Sequence, residues 1–244
     1  MSATTYIWTG VIGTLALWVI SGALAIVMGI LMCAGSLSSH NWIRLVFRAS
    51  VNTTRGIPTS LLVIAAGLCM LRLPNIPALP ILFPGTPAAF QHVAWGVSIA
   101  LALGSAGHLA EIFCAAYAAL GRARLEQATV LGLSRIDQLL VLGRETAALV
   151  IPPAGARLIH HLHNTAFAAL FPISELFGAI QGLVNTSFRV FQFTLIGALI
   201  YILLSGFAWF LARMAEAALR PSGTDIDGIG NARDSRDSAV RAAG

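Results

Sequence analysis

The sequence predicts an all-α integral membrane protein of about five transmembrane helices, with its N-terminus outside and its C-terminus inside. Three observations carry this. Hydrophobic residues fill 57% of the 244 positions and charged residues only 10%, with a mean hydropathy of +0.81. Soluble domains are roughly a quarter charged, so the composition excludes an ordinary cytosolic enzyme, a disordered chain and a disulfide-stapled secreted domain. Apolar runs of membrane-crossing length recur along the chain. Arginines crowd into alternate connections, as the positive-inside bias of membrane proteins requires.

The first 39 residues carry no charge. Residues 1–9 are expected to form a periplasmic N-terminus, and the run from Gly10 to Cys33 is long enough to cross a bilayer. It lacks the basic start and short apolar core of a signal peptide, so it is expected to be a retained span. His40, Arg44, Arg48 and Arg55 follow with no acid among them. The second span has its core at Ile57–Leu71, and residues before Arg55 are expected to extend the same helix, their arginines snorkelling to the interface. Residues 72–90 contain Pro74, Pro77, Pro80, Pro84 and Pro87, a density that predicts an extended loop.

The third span runs from about Phe90 to Leu120 and contains one acid, Glu111. Residues 121–143 form a cytoplasmic segment carrying Arg122, Arg124, Glu126, Arg135 and Asp137. The fourth span is expected to be broken, interrupted by Pro152-Pro153 and continuing through His160, His161 and His163 to Pro172 and Glu175, with Glu175 at the outer surface. The fifth lies between Arg189 and Arg213. The membrane domain thus covers residues 10–217, and the polar tail 218–244 has the composition of a disordered cytoplasmic end. The connections after the first and third spans carry three and four arginines, and the C-terminal flank carries Arg213 and Arg220. The N-terminus has none, and the connections after the second and fourth spans have one each. Five spans with the N-terminus outside place every arginine-rich segment in the cytoplasm.

All 15 basic residues are arginine. Without lysine there is no phosphate-binding loop of the G-x-x-x-x-G-K-[ST] type and no Schiff-base lysine, so ATP-driven work must fall to another chain. Arginine-rich cytoplasmic loops account for the pI of 9.9, and no nucleic-acid partner is expected. Cys33, Cys69 and Cys114 lie in apolar runs without metal-ligand spacing and read as small buried hydrophobes.

The stretch Glu126-Gln127-Ala128-Thr129-Val130-Leu131-Gly132-Leu133-Ser134 predicts a short amphipathic helix of its own, with Gly132 as its C-terminal turn residue. Such a helix suits either the membrane surface or a groove on a soluble partner. These residues resemble the cytoplasmic Glu-Ala-Ala…Gly signature of permease subunits of bacterial ABC importers for polar amino acids. Further fragments fall in register: Arg55-Gly56-Ile57-Pro58, Ala110-Glu111-Ile112-Phe113, Leu131-Gly132-Leu133-Ser134, Pro152-Pro153 and Glu175-Leu176. Departures include Gln127 for the family's middle alanine, Cys114 for a usual arginine, His108 for a frequent tyrosine, and His163-Asn164-Thr165-Ala166 for Lys-Asp-Thr-Ser.

The resemblance implies the type I importer permease fold, also called MetI-like, in the bacterial inner membrane. It implies two permease subunits, alike or different, two ATP-binding subunits below and a periplasmic solute-binding protein above, with no cofactor in the permease. Glu126, Gln127, Ala128, Gly132, Arg135 and Asp137 are then the coupling contact with the ATPase. Transport proceeds by alternating access as the spans rock between inward-facing and outward-facing states.

The translocation pathway is expected to involve Glu111, Arg55, His163 and Thr165. For Glu111 two readings stand: a pathway-lining carboxylate, or a structural partner between helices. His160 and His163 share a helix face with His161 beside them, yet no Cys, Asp or Glu lies near enough in sequence to complete a metal shell. No metal site is therefore expected. Two other functions stand beside the permease reading: a stand-alone secondary transporter or channel, and a metal-dependent membrane enzyme using the three histidines. No internal repeat favours the first, and no nucleophile–base pair favours the second.

Overall fold

The computed structural model describes residues 2–73, 80–132 and 135–219, with the side chains of 120–126, 128–129, 135–142, 144–145 and 219 left aside. Among these residues every regular element is helical: α1 (Ala3–Ser36), α2 (Asn41–Gly56), α3 (Thr59–Leu71), α4 (Gln91–Val130), α5 (Arg135–Asn164), α6 (Leu176–Ser187) and α7 (Val190–Leu219). Short 3-10 turns precede α4 at Ala88–Phe90 and follow α5 at Thr165–Leu170.

Helix α4 is the central post. It packs against α1, α2, α3 and α5. Its contact face is built of small side chains, among them Ala102, Ser105, Ala106 and Ala110, all buried. In lipid there is little hydrophobic drive between helices, so close backbone approach through small residues does the packing. Over half of the α4 apolar window is buried (56%), against 11% for α7. Helix α7 instead exposes Phe191, Leu199, Ile202, Leu203, Phe207 and Phe210, a surface suited to lipid. Trp209 stacks under Arg213 at 5.6 Å, the interfacial pairing expected where a span leaves the bilayer.

Three helices, Ala3–Ser36, Ala88–Ala119 and Val190–Ala218, are long and apolar enough to cross a membrane. A fourth passage is a bent pair. Helices α2 and α3 meet at 98°, so the residues before Arg55 do not extend the second span as the sequence suggested. Pro58 explains the corner: it forces Ile57 into extended backbone (φ −92°, ψ 127°), and the helix cannot continue through it. Helix α2 turns Phe47 and Thr54 toward Gly35 and Gly107 of α1 and α4, and leaves Trp42, Leu45 and Val46 exposed beside Arg48. That pattern suits a helix lying along the inner membrane face.

The remaining passage is α5, its terminal turn and α6. It is broken, but not at Pro152-Pro153, which lie inside continuous helix. Both prolines are exposed, and the carbonyls they deprive of donors, those of Ala148 and Leu149, belong to half-buried and exposed residues. The break falls at 165–175, where the turn, Pro172 and extended residues separate α5 from α6. Helix α6 then runs antiparallel to α1: Gly182 lies against Tyr6, Gly10 against Ala179, and Gly13 against Ser174. A Cβ on Gly13 would sit 1.9 Å from the Ser174 carbonyl oxygen, so only glycine lets the two backbones meet here.

The first turn of α6 finds acceptors for its free amides. Thr14 Oγ1 accepts from Leu176 N at 2.9 Å. The Glu175 carboxylate accepts from Phe177 N at 2.7 Å and from Gly178 N, and the Glu175 carbonyl takes Ala179 N. The free N–H groups of Leu176, Phe177 and Gly178 are thus satisfied inside protein, and Ala179 N makes the first intrahelical bond, which is the condition for interrupting a helix at membrane depth. Glu175 is 1% exposed, so the expectation that it lies at the outer surface is corrected. Its acceptors are needed in the interior.

Two cysteines also depart from expectation. Cys33 and Cys114 form a disulfide linking α1 to α4, with Cα atoms 5.6 Å apart, and Cys69 is exposed. A pairing across 81 residues depends on how α1 and α4 cross, which residue type and spacing do not encode.

Candidate functional site

The spans hold polar groups at three depths. The middle one is a hydrogen-bonded chain across three helices, at the midpoints of α1 and α4. Serine is tolerated in these apolar helices because its hydroxyl can bond back to the carbonyl one turn earlier. Ser21 does so, donating to Leu17 O. Its single proton is thereby spent, so it accepts from His161 Nε2–H at 2.8 Å. His161 Nδ1 then carries no proton and accepts from the Ser105 hydroxyl at 2.8 Å, the neutral tautomer that the network requires. Ser105 in turn accepts from Arg157 Nη2 at 3.2 Å, and Arg157 Nη2 also donates to Gly104 O at 2.7 Å. Ser21, Ser105 and His161 are 0% exposed, so this chain locks α5 onto α1 and α4.

The inner depth lies where α1 ends against α2 and α4. Arg55 Nη1 and Glu111 Oε2 pair at 2.6 Å, with side chains 36% and 53% exposed. They border a cavity of about 250 Å³ that also meets Ser36, Arg48 and Cys114. His108 stands between the two depths, within electrostatic reach of Arg55, Glu111, Arg157 and His160. The outer depth is the α6 start, where Tyr201 OH reaches Glu175 Oε2 at 3.4 Å.

Of the four pathway residues expected from sequence, the structure joins Arg55 to Glu111 and separates them from the others. His163 Nε2 meets Ser205 of α7 at 2.8 Å on an exposed face. Thr165 is buried, its hydroxyl turned back on Leu162 O at 2.7 Å. The three histidines also part company: His161 faces inward, while His160 and His163 lie on the open side of α5. Both ring nitrogens of His161 are engaged, and among the described residues no group of three or more His, Cys, Asp or Glu is placed to hold a metal.

The cytoplasmic segment does not form a short helix of its own. Residues 126–130 are the last turn of α4, a 40-residue helix of about 60 Å that outruns the roughly 30 Å hydrocarbon layer. Gly132 ends it with φ +68°, and Leu131 N closes back on Gln127 O at 2.9 Å, the left-handed stop that glycine permits. The side chains of Glu126, Ala128, Arg135 and Asp137 lie outside the described residues. Gln127 is exposed. Val130 and Leu131 are 87% and 76% exposed, an apolar tip that the sequence reading passed over. Arg157 was passed over too, although an arginine inside an apolar stretch is itself a signal.

A helical bundle with a broken span, a buried polar layer and a helix longer than the bilayer is thick suits a membrane translocation subunit. Comparison with known proteins makes the class specific. No family model matches the chain. It is 30% identical over 220 residues to the glutamate transport system permease protein GluD of Corynebacterium glutamicum, covering 89% of this chain and 76% of that one. It is 29% identical over 119 residues to the arginine ABC transporter permease protein ArtM of Haemophilus influenzae, covering 49% of this chain and about half, 52%, of that protein's length. Among solved structures, an amino acid ABC transporter aligns at TM-score 0.71 and 22% identity over 88% of this chain and 94% of its own. The inward-facing MetNI methionine ABC transporter aligns at TM-score 0.69 and 16% identity over 91% of this chain and 100% of its own. The chain belongs to the family of ABC importer permeases represented by GluD: it is a multi-pass component of the bacterial inner membrane with the MetI-like fold.

Proposed function

We propose that this chain, with a second permease of the same or a related kind, forms the passage for polar amino acids or related small zwitterions in an ATP-driven importer. ATP hydrolysis resides in two separate ATP-binding subunits, and a periplasmic solute-binding protein delivers the solute. The permease itself performs no bond chemistry. One observation carries the coupling role: α4 extends well past its membrane-spanning part and ends in exposed Val130 and Leu131 at the Gly132 corner. Two large apolar side chains held in water on a stiff helix suit insertion into an apolar groove of a soluble partner.

Movement of that corner is transmitted along α4, because α4 also carries Ser105, His108 and Glu111. Closure of the ATPase pair draws two such corners together. The spans then rock between inward-facing and outward-facing states as rigid bodies. Glu126, Gln127, Arg135 and Asp137 flank the corner and complete the contact through polar groups, while Ala128 and Gly132 permit close backbone approach. The arginine and glutamate relatives support that substrate class. A cysteine at Leu131 should crosslink to the ATP-binding subunit in transporting membranes, with the yield changing on ATP addition. Uptake that persists after that subunit is deleted would instead establish a stand-alone transporter.

A further inference from the structure

Resting on the permease reading, we infer that Arg157 is the pathway's receptor for the carboxylate of the transported solute, so that the passage selects solutes bearing that group. The open side of α5 bears the exposed imidazoles of His160 and His163, flanking His161, which bonds the middle of α1 at Ser21. Such groups do not face hydrocarbon; they face water or protein, which places this side of the helix on the passage between paired permeases. Arg157 sits beside them, at the level of the mid-membrane serine–histidine chain.

Its guanidinium is held by neutral acceptors. Nη2 bonds Gly104 O and Ser105 Oγ, Nη1 has only His160 Nδ1 at 3.5 Å, and Nε is buried with no acceptor. Among the described residues no carboxylate pairs with it. Glu111 is committed to Arg55, Glu175 to the start of α6, and Glu216 to Arg213. An arginine kept charged at this depth without a counter-ion is costly. The chain Arg157–Ser105–His161–Ser21 nonetheless fixes its position, as a receptor requires. Nε is buried, so Nη1, held only by the long His160 contact, is the donor that a solute carboxylate can reach as its charge complement. His160 and Asn164, whose side chains meet at 3.5 Å, line the next turn and supply further polar contacts.

The test uses the complex of permease and ATP-binding subunits purified without the binding protein, so that selectivity is read from the passage itself. Equilibrium binding is measured with L-arginine, L-glutamate and agmatine, the last being arginine without its carboxylate. The expected result is binding of at least one of the two amino acids, with agmatine weaker by about tenfold to a hundredfold, the worth of a charge-assisted hydrogen bond. Arg157→Gln should remove that preference and Arg157→Lys should keep part of it, both complexes eluting intact with ATPase activity present. Equal affinity for arginine and agmatine, no binding of either amino acid, or unchanged selectivity in Arg157→Gln would overturn the inference. Dissociation of the permease pair in Arg157→Gln but not in Arg157→Lys would assign the arginine to a carboxylate of the second permease and also overturn it. Failure of the permease to co-purify with any ATP-binding subunit would count against the permease reading instead, so the two failures are distinct.

Discussion

Glu175→Ala removes the acceptor that holds the interrupted fourth span open. In the native chain the carboxylate takes two backbone N–H groups, Phe177 and Gly178, and the Tyr201 hydroxyl. The site is 1% exposed, so no water replaces what is lost. A buried donor left unmade costs about 1–3 kcal/mol, so the two amides alone put the loss at roughly 2–6 kcal/mol. Glu175→Gln keeps one acceptor oxygen and sets an amide N–H against the second donor, so about half the penalty is expected. At roughly 2–4 °C per kcal/mol for a chain of this size, alanine should lower the melting temperature by on the order of 10 °C and glutamine by about half that. The assay is thermal unfolding of the detergent-purified complex, followed by intrinsic fluorescence. An alanine variant melting within about 2 °C of the parent would show that the helix start is satisfied by other groups and that the account of the break is wrong.

Gly13→Val should abolish assembly, because even its first carbon would lie 1.9 Å from the Ser174 carbonyl oxygen; loss of the protein from the membrane fraction is the readout. Gly132→Asp should leave the fold in place, since a Cβ there meets nothing within 4 Å, with only a small fall in melting temperature from the roughly 1 kcal/mol that a non-glycine residue costs at φ +68°. It should nonetheless uncouple ATP hydrolysis from uptake, measured side by side in proteoliposomes. Arg55→Ala should cost only about 1 kcal/mol of stability, because the Arg55–Glu111 pair is partly solvated at 36% and 53% exposure. A charge-swapped Arg55→Glu, Glu111→Arg double variant should recover the single variants' loss if the pair itself matters, and melting curves of the four proteins would show it.

Much of the architecture is written in local chemistry. Uncharged stretches such as Gly10–Cys33 must leave water, so which segments are apolar enough to cross a membrane follows from composition along the chain. Gly132 is legible too: helices commonly stop on a left-handed residue, and glycine adopts it at little cost. The resemblance carried by Arg55-Gly56-Ile57-Pro58, Glu126-Gln127-Ala128 and their neighbours led to the family that the relatives bear out.

What sequence left open depended on which surfaces meet. Pro152-Pro153 looked like the break because proline lacks a donor, yet both rings lie on an open face and α5 runs through them. The real interruption sits where Thr14, Thr86 and Glu175 can satisfy freed amides, and those partners arrive from 88 to 162 residues away or from the helix start itself. The same holds for Cys33 with Cys114, for Arg55 with Glu111, and for the chain from Arg157 to Ser21. A sequence determines which segments enter the membrane because transfer from water is a property of each segment alone. Which buried polar group finds a partner is a property of the packed bundle, and only the tertiary structure decides it.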